Sequence, residues 1–177
     1  MIILDDIYMN QKNDSKTRMT VAVGADHAGY ALKKDLQEWF ISQDVDIIDV
    51  GAYSMDPSDD YPDFAAKVGV AVANKDVDRG IIFCGSGVGA SIAANKILGV
   101  RASICHDLYS ATQGVEHDDL NVLCIGARIV DAEFAKELIE AFLSSEFTAE
   151  ERHSRRVNKI IALEQKGSII VKKSQGG

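Results

Sequence analysis

The chain has 177 residues and a formal net charge of −8. This length suits one domain with a buried core, and the acidic balance argues against nucleic acid as a partner, because phosphate contacts need an excess of Lys and Arg. No apolar run approaches the roughly 20 residues of a membrane span, and no secretory signal is recognisable near the start. The three cysteines lack metal-type spacing and indicate reduced thiols in a cytoplasmic protein.

Residues 1–18 do not share the pattern that follows, and we interpret them as a poorly ordered leader. Residues 19–165 form the predicted domain, and residues 166–177 are expected to be a loose tail. Short apolar runs predict strands at 20–25, 45–51, 80–84, 100–105 and 121–126. Helical spacing predicts helices at 30–43, 62–75, 88–96, 107–114, 131–145 and 148–164.

Strands that alternate with helices predict an α/β fold, in which helices cover both faces of a five-stranded parallel sheet. Right-handed crossovers make it a doubly wound, Rossmann-like three-layer sandwich. The commonest order of five strands, 2-1-3-4-5, places strands 1 and 3 side by side. Ligands of such folds bind beyond the carboxyl ends of the strands, so residues that directly follow a strand are candidates for a site.

Two helix starts carry capping signals. Asp131 is a predicted N-cap of the helix at 131–145. Thr148 and Glu151 have the spacing of a capping box at the start of the last helix.

The stretch "GADHAG" at 24–29 places Asp26 and His27 directly after strand 1. Both side chains are therefore expected at the carboxyl edge of the sheet. An equally good interpretation of Asp26 alone is that it caps the first helix.

The stretch "CGSGVGA" at 84–90 follows strand 3 and contains Gly85, Gly87 and Gly89. Without Cβ atoms these residues allow backbone N–H groups to approach an anion at the start of a helix. A helix start also lowers a thiol pKa, so Cys84 is expected to be reactive. A plain turn and an inert core cysteine are the alternative interpretations.

The residues Gly85 to Ala90 also fit the dinucleotide pattern G-x-G-x-x-A, and Asp107 lies about 20 residues further on. This pattern would make the protein a dinucleotide-binding oxidoreductase. Against this function, the motif follows the third strand rather than the first, and the chain is too short for a second, substrate-binding domain.

His117, in "GVEHDDLN", precedes strand 5 instead of following it. It is therefore expected at the opposite edge of the sheet from Cys84. It is either a surface histidine or a residue that serves a neighbouring subunit.

The stretch "ERHSRRVNK" at 151–159 places Arg152 and Arg156 on one helix face. Guanidinium groups match the geometry of phosphate, and His153 and Lys159 lie close by. The alternative is a solvated helix face whose arginines pair with neighbouring glutamates.

Five stretches together resemble the ribose-5-phosphate isomerase B family, which includes galactose-6-phosphate isomerase subunits. They follow one another over residues 19–165 and are "GADHAG", "DYPDFA" (60–65), "DRGIIFCGSGVGASIAANKILGVRA" (78–102), "EHDDLNVLCIGARIV" (116–130) and "RHSRRV" (152–157).

The resemblance implies a homodimer, which could pair into a tetramer, with the active site built across the interface and the last helix packed on the partner. One subunit would supply Asp26, His27, Tyr61, Cys84, Gly85, Ser86, Gly87, Val88 and Gly89. The other would supply His117, Asp118, Arg128, Arg152 and Arg156.

The resemblance also implies an aldose–ketose isomerase that interconverts ribose 5-phosphate and ribulose 5-phosphate through an enediolate, without a cofactor or metal. Cys84 would be the base, as in family members with Cys at this position. Some relatives use a Glu six residues further on, and Ala90 at that place in this chain strengthens the assignment. His117 would open the sugar ring with help from Asp26 or Ser86. The loop at 85–89 would hold the enediolate, and the phosphate would bind the residues His27, Arg152 and Arg156.

Two residues depart from the family pattern. Ser86 replaces the commoner Thr and keeps the hydroxyl, whereas Asp118 stands where the family usually has Asn. A carboxylate cannot donate the hydrogen bonds of an amide. The substrate could therefore be another tetrose, pentose or hexose phosphate, and a non-catalytic sugar-phosphate sensor is a further alternative.

Overall fold

The computed structural model describes the backbone of residues 18–173 and the side chains of residues 18–166. The leader expected at 1–18, apart from Arg18, and the last four residues of the expected tail lie outside the described residues. Arg18 donates hydrogen bonds to the carbonyl oxygens of Gln43 and Val45 and pairs with Asp44. Arg18 therefore attaches the segment before β1 to the start of the second strand.

All five predicted strands are confirmed to within two residues at each end: β1 Met19–Ala25, β2 Val45–Asp49, β3 Arg79–Cys84, β4 Ala102–Ile104 and β5 Val122–Gly126. The helices are α1 Tyr30–Asp35, α2 Gln37–Ser42, α3 Tyr61–Ala73, α4 Val88–Ala94, α5 Leu108–Asp118, α6 Ala132–Ser144 and α7 Glu151–Lys173. The single helix predicted at 30–43 is thus two short helices that meet at the buried Leu36. Helix α7 continues beyond its predicted end at 164 and into the segment expected to be a tail.

The strands form one parallel sheet in the order β2-β1-β3-β5-β4. The α/β class is confirmed, but the predicted order 2-1-3-4-5 is wrong, because β5 lies inside the sheet and β4 at its edge. Strand β5 is buried throughout, whereas β4 has three residues, of which Ser103 is exposed. An interior strand needs apolar residues on both faces, and of β4 and β5 only β5 has them. As a result Cys84 of β3 is in register with Gly126 of β5.

Helices cover both faces of the sheet, which gives three layers. Ile81 and Phe83 of β3 pack on one side with α1, α2, α5 and α6. Ile82 and Cys84 face the other side and pack with α3 and α4. The Cys84 side chain therefore lies on the α3–α4 side, at the last position of its strand. Among the described residues, none of the helices is both apolar and long enough to cross a membrane.

Helix starts orient the segments that follow the sheet. Asp131 caps α6 as predicted, since its side chain accepts a hydrogen bond of 2.9 Å from the Phe134 amide. The predicted capping box of α7 does not form. Instead, the Thr148 hydroxyl donates to the carbonyl oxygen of Glu116, at 3.0 Å. This bond attaches the start of α7 to the end of α5.

Candidate functional site

A cavity of about 350 Å³ opens at the carboxyl ends of β1, β3 and β5, where doubly wound folds bind their ligands. It is lined by Asp26, His27, Ala28, Tyr61, Cys84, Gly85, Ser86, Gly89, Arg128 and Ile129. Eight of the predicted site residues therefore come together in one chain, and only Ala28 and Ile129 of this lining were not among the candidates.

Cys84 and Asp26 are in direct contact at this cavity. The thiol donates a hydrogen bond to Asp26 Oδ2, with 2.8 Å between sulfur and oxygen. The other oxygen, Oδ1, accepts from the Gly29 amide at 2.8 Å. Asp26 therefore lies at the carboxyl edge of the sheet as expected. The alternative, that it caps the first helix, is wrong, because Gly29 is the N-cap of α1 and the Asp26 side chain bonds to the turn before the helix.

Gly29 makes this contact possible. A Cβ atom at this position would lie 2.3 Å from the carbonyl group of Phe83 and 2.7 Å from the Cys84 amide nitrogen. The loop after β1 packs directly on the end of β3 only because this residue has no side chain.

The surroundings raise the pKa of the Cys84 thiol, and burial is the largest cause. The hydrogen bond to Asp26 and the negative charge of that carboxylate raise it further, whereas the amides of Gly85 and Gly87 lower it. The expectation of a lowered pKa is therefore wrong, because two backbone amides do not outweigh burial beside a carboxylate. In the free protein Cys84 is a thiol that donates to Asp26.

The glycine-rich loop is shaped by its backbone and by Tyr61. Gly87 has φ of +79°, a conformation that side chains disfavour. The Val88 amide donates to Ser86 Oγ at 3.3 Å, so this hydroxyl keeps its own hydrogen for another acceptor. A Cβ atom on Gly89 would lie 2.6 Å from the Tyr61 ring, which therefore forms the wall above the loop.

Arg128 lies in the cavity of its own chain, although it was expected to come from a partner. The Ala127 amide donates to the Cys84 carbonyl at 2.8 Å and the Arg128 amide to that of Gly85 at 3.0 Å. A Cβ atom on Gly85 would lie 3.4 Å from the guanidinium carbon of Arg128. The neighbouring position of β5 and β3 causes this, because residues that follow β5 reach the end of β3.

Asp59 is a polar contact of the site that the sequence interpretation missed. Its Oδ1 atom lies 2.7 Å from His27 Nδ1 and accepts from the His27 amide at 3.0 Å. This hydrogen bond is the main cause of a raised His27 pKa, which burial opposes. The signal in the sequence was weak, because Asp59 is one of several acidic residues in the loop before α3.

The remaining candidates lie elsewhere in the chain. His117 stacks on His153, with 4.0 Å between the ring centroids, at the junction of α5 and α7. Asp118 lines a separate cavity of about 520 Å³ between β4, α5 and α7. Arg152 pairs with Glu150 at 2.9 Å, and Arg156 is exposed. Within one chain, Arg152 therefore forms the ion pair that the alternative interpretation expected.

His153 is buried beneath this surface, with 1% of it exposed. Because the Thr148 hydroxyl donates to Glu116, its oxygen accepts from His153 Nδ1, at 2.8 Å. Burial lowers the His153 pKa, and the adjacent His117 lowers it further. His153 is thus a neutral support for the His117 ring and does not belong to the exposed arginine face.

A model of the family described as Ribose/Galactose Isomerase matches residues 21–160 of the chain. The chain belongs to this family. Ribose-5-phosphate isomerase B of Escherichia coli is 43% identical over 146 residues, which cover 82% of this chain and 97% of that protein. D-erythrulose-4-phosphate isomerase 2 of Mycolicibacterium smegmatis is 35% identical over 148 residues, with coverage of 82% and 97%.

A solved structure of ribose-5-phosphate isomerase B from Mycoplasma genitalium, with bound ribulose-5-phosphate, is also similar. It has a TM-score of 0.78 and 38% sequence identity, and the match covers 83% of this chain and 97% of that chain. The resemblance inferred from the motifs is therefore confirmed, and the protein is an isomerase of the ribose/galactose isomerase family.

The environment of Cys84 predicts how this isomerase reacts with iodoacetamide. Replacement of Asp26 by Asn removes the negative charge beside the thiol, so the Cys84 pKa falls and the thiolate fraction at neutral pH rises. Because the thiolate is the nucleophile, we expect Cys84 to be alkylated faster in Asp26→Asn than in the wild type, as measured by mass spectrometry of the Cys84 peptide.

The change Asp107→Asn, at the cap of α5, is the matched control and should leave the rate unaltered. Cys105 should not compete, because burial raises its pKa to about 11. An equal or slower rate in Asp26→Asn would show that Asp26 does not set the pKa of Cys84.

Proposed function

We propose that this isomerase interconverts ribose 5-phosphate and ribulose 5-phosphate through an enediolate, with Cys84 as the base. The contact between Cys84 and Asp26, at the mouth of a cavity beside the glycine-rich loop, is the observation that carries the proposal. The similarity to a solved isomerase with bound ribulose-5-phosphate supports the choice of substrate.

Asp26 would receive the proton of the thiol. Transfer along the hydrogen bond of 2.8 Å converts thiol and carboxylate into thiolate and carboxylic acid. The thiolate then takes the proton from C2 of the open-chain aldose and returns it to C1 of the enediolate, while the hydroxyl proton at O2 passes to O1, which gives the ketose. A thiol with a raised pKa forms a strongly basic thiolate, and a positioned base of this kind contributes about 10²–10⁴-fold in rate.

The loop at 85–89 would stabilise the negative oxygens of the enediolate. Gly85, Ser86 and Gly89 of this loop line the cavity, and one well-placed backbone donor is worth about 3–4 kcal/mol in such a reaction. Ser86 would donate its free hydroxyl hydrogen to a sugar oxygen. Arg128 adds a positive charge from the same chain.

The site would be completed by a second copy of the chain. His117 of the partner would open the sugar ring, the partner's Asp118 would contact the sugar, and the phosphate would bind His27 of one chain and Arg152 and Arg156 of the other. The position of His117 outside the Cys84 cavity of its own chain supports a shared site.

Exposed apolar side chains support the same homodimer. They lie on α4, on the turn after it and on α7, which would pack on the partner, and they include Val88, Ile92, Leu98, Ile160 and Leu163. The pairing of such dimers into tetramers stays a prediction.

Another sugar phosphate is the second candidate substrate. Asp118, which lies 3.3 Å from Gln113 Nε2, favours this alternative because a carboxylate replaces the usual amide. The similarity to a D-erythrulose-4-phosphate isomerase includes tetrose phosphates among the candidates, and the family name includes galactose derivatives. Rates with four-, five- and six-carbon aldose phosphates discriminate among them.

We also place the enzyme in the cytoplasm. The cysteines Cys84, Cys105 and Cys124 are free and buried, and thiols remain reduced in that compartment.

The dinucleotide-binding alternative gains no support from the family match, and a non-catalytic sensor would not need the contact between Cys84 and Asp26.

The change Cys84→Ala removes the proposed base. We expect kcat with ribose 5-phosphate to fall by about 10²–10⁴-fold, while the fold, followed by circular dichroism, is retained. The matched control is Cys124→Ala, which removes a thiol that is buried on the same side of the sheet and lines no part of the cavity. Full activity of Cys84→Ala would disprove the role of Cys84, and highest wild-type activity with a four- or six-carbon sugar would favour the second candidate.

Mixed dimers test the shared site. Cys84→Ala and His117→Ala are each expected to inactivate the protein alone, but a dimer with one copy of each would contain one intact site. Random pairing after co-expression should restore about a quarter of the wild-type activity. Co-expression of Cys84→Ala with Cys84→Ser should restore none, because both changes remove the same half of the site. Absence of recovery in the first pair would mean that the site does not combine two chains.

A further inference from the structure

We propose that Asp59 is a positioning residue for phosphate binding, which holds the His27 ring in place and maintains a positive charge on it. This inference rests on the proposed function, in which His27 contacts the phosphate of the sugar. It adds to the proposed site a residue from the loop before α3 that lies behind the cavity lining.

The geometry around Asp59 fixes the orientation of the His27 ring. A single oxygen, Oδ1, lies 2.7 Å from Nδ1 and 3.0 Å from the backbone nitrogen of His27. Because Nδ1 donates to this oxygen, the other ring nitrogen, Nε2, is left for a ligand. His27 lines the cavity with about a third of its side chain exposed (34%), whereas that of Asp59 is 9% exposed.

The Asp59 carboxylate interacts mainly with His27. The second oxygen, Oδ2, is buried and has no hydrogen-bond partner among the described residues. A buried carboxylate with one cationic neighbour stabilises the protonated form of that neighbour. Asp59 therefore favours a positive charge at the edge of a cavity that is proposed to receive a dianionic phosphate.

Other ionisable groups also act on His27. Asp56, from the same loop as Asp59, and Asp26, from the loop of His27 itself, carry negative charges that favour the protonated ring. The remaining titratable groups that line the cavity are Tyr61, Cys84 and Arg128. Asp59 makes the only side-chain hydrogen bond to His27 among the described residues, and its bond is the largest contribution to the raised pKa of the ring.

The consequence is a specific dependence of KM on pH. Below the His27 pKa the ring is a cation and binds phosphate, and as the pH rises through that pKa the charge is lost and KM increases. Removal of the Asp59 charge lowers the His27 pKa, so this increase begins at a lower pH. The rate at saturation should change little, because Asp59 contacts neither Cys84 nor Asp26.

The test is Asp59→Asn, since the Asn oxygen still accepts both hydrogen bonds from His27 while the charge is removed. The ring signals of His27 are followed by NMR across pH, with and without inorganic phosphate, and the kinetics with ribose 5-phosphate are measured over the same range. We expect the His27 titration to move to lower pH, phosphate binding to weaken, and KM at neutral pH to rise about tenfold. Asp56→Asn, a change of equal charge in the same loop without contact to His27, should have the smaller effect.

An unchanged His27 titration in Asp59→Asn, or unweakened phosphate binding, would overturn the proposal. So would a loss of kcat at every pH with the same midpoint for KM, which a purely structural role would produce. The NMR titration does not depend on turnover. A wild-type protein that fails to convert ribose 5-phosphate would therefore disprove the proposed function without deciding the role of Asp59.

Discussion

The hydrogen bond between the Cys84 thiol and Asp26 is the contact on which the site depends. It joins the ends of β3 and β1, and it requires the absence of a side chain at Gly29, which lets the two loops touch. It also determines the protonation of the site, since a thiol buried beside a carboxylate keeps its proton. The pair thus holds one proton between two atoms 2.8 Å apart, as the proposed transfer from the thiol to the carboxylate requires.

The order of the strands decides which residues join this pair. Because β5 pairs with β3, the segment after β5 lies against the glycine-rich loop and brings Arg128 into the cavity. The edge position of β4 leaves α5 and α7 at the periphery, where His117 stacks on the neutral His153. One half of the proposed site therefore lies at the carboxyl ends of the strands and the other half on α5 and α7, and a second copy of the chain would bring the two halves together.

Residues that directly follow a strand could be predicted from the sequence, because local apolar patterns determine where strands end. Asp26, Cys84 and the glycine-rich loop were found in this way. The order of β4 and β5 could not be predicted, because it depends on which of the two short strands is better buried. The polar Ser103 was a weak sign in the sequence that β4 lies at the edge. The raised pKa of Cys84 and the role of Asp59 depend on contacts through space, across 58 and 32 residues of the chain, which no local pattern encodes.

The central claim is that the sulfur of Cys84 faces the carbons between which the proton moves. A phosphorylated α-bromoketone that resembles the open-chain sugar tests it directly, because a thiolate in that position displaces bromide and forms a thioether. We predict that peptide mapping finds the label on Cys84 and that ribose 5-phosphate slows the reaction. A label on another side chain, such as His117, with Cys84 unmodified, would contradict the account.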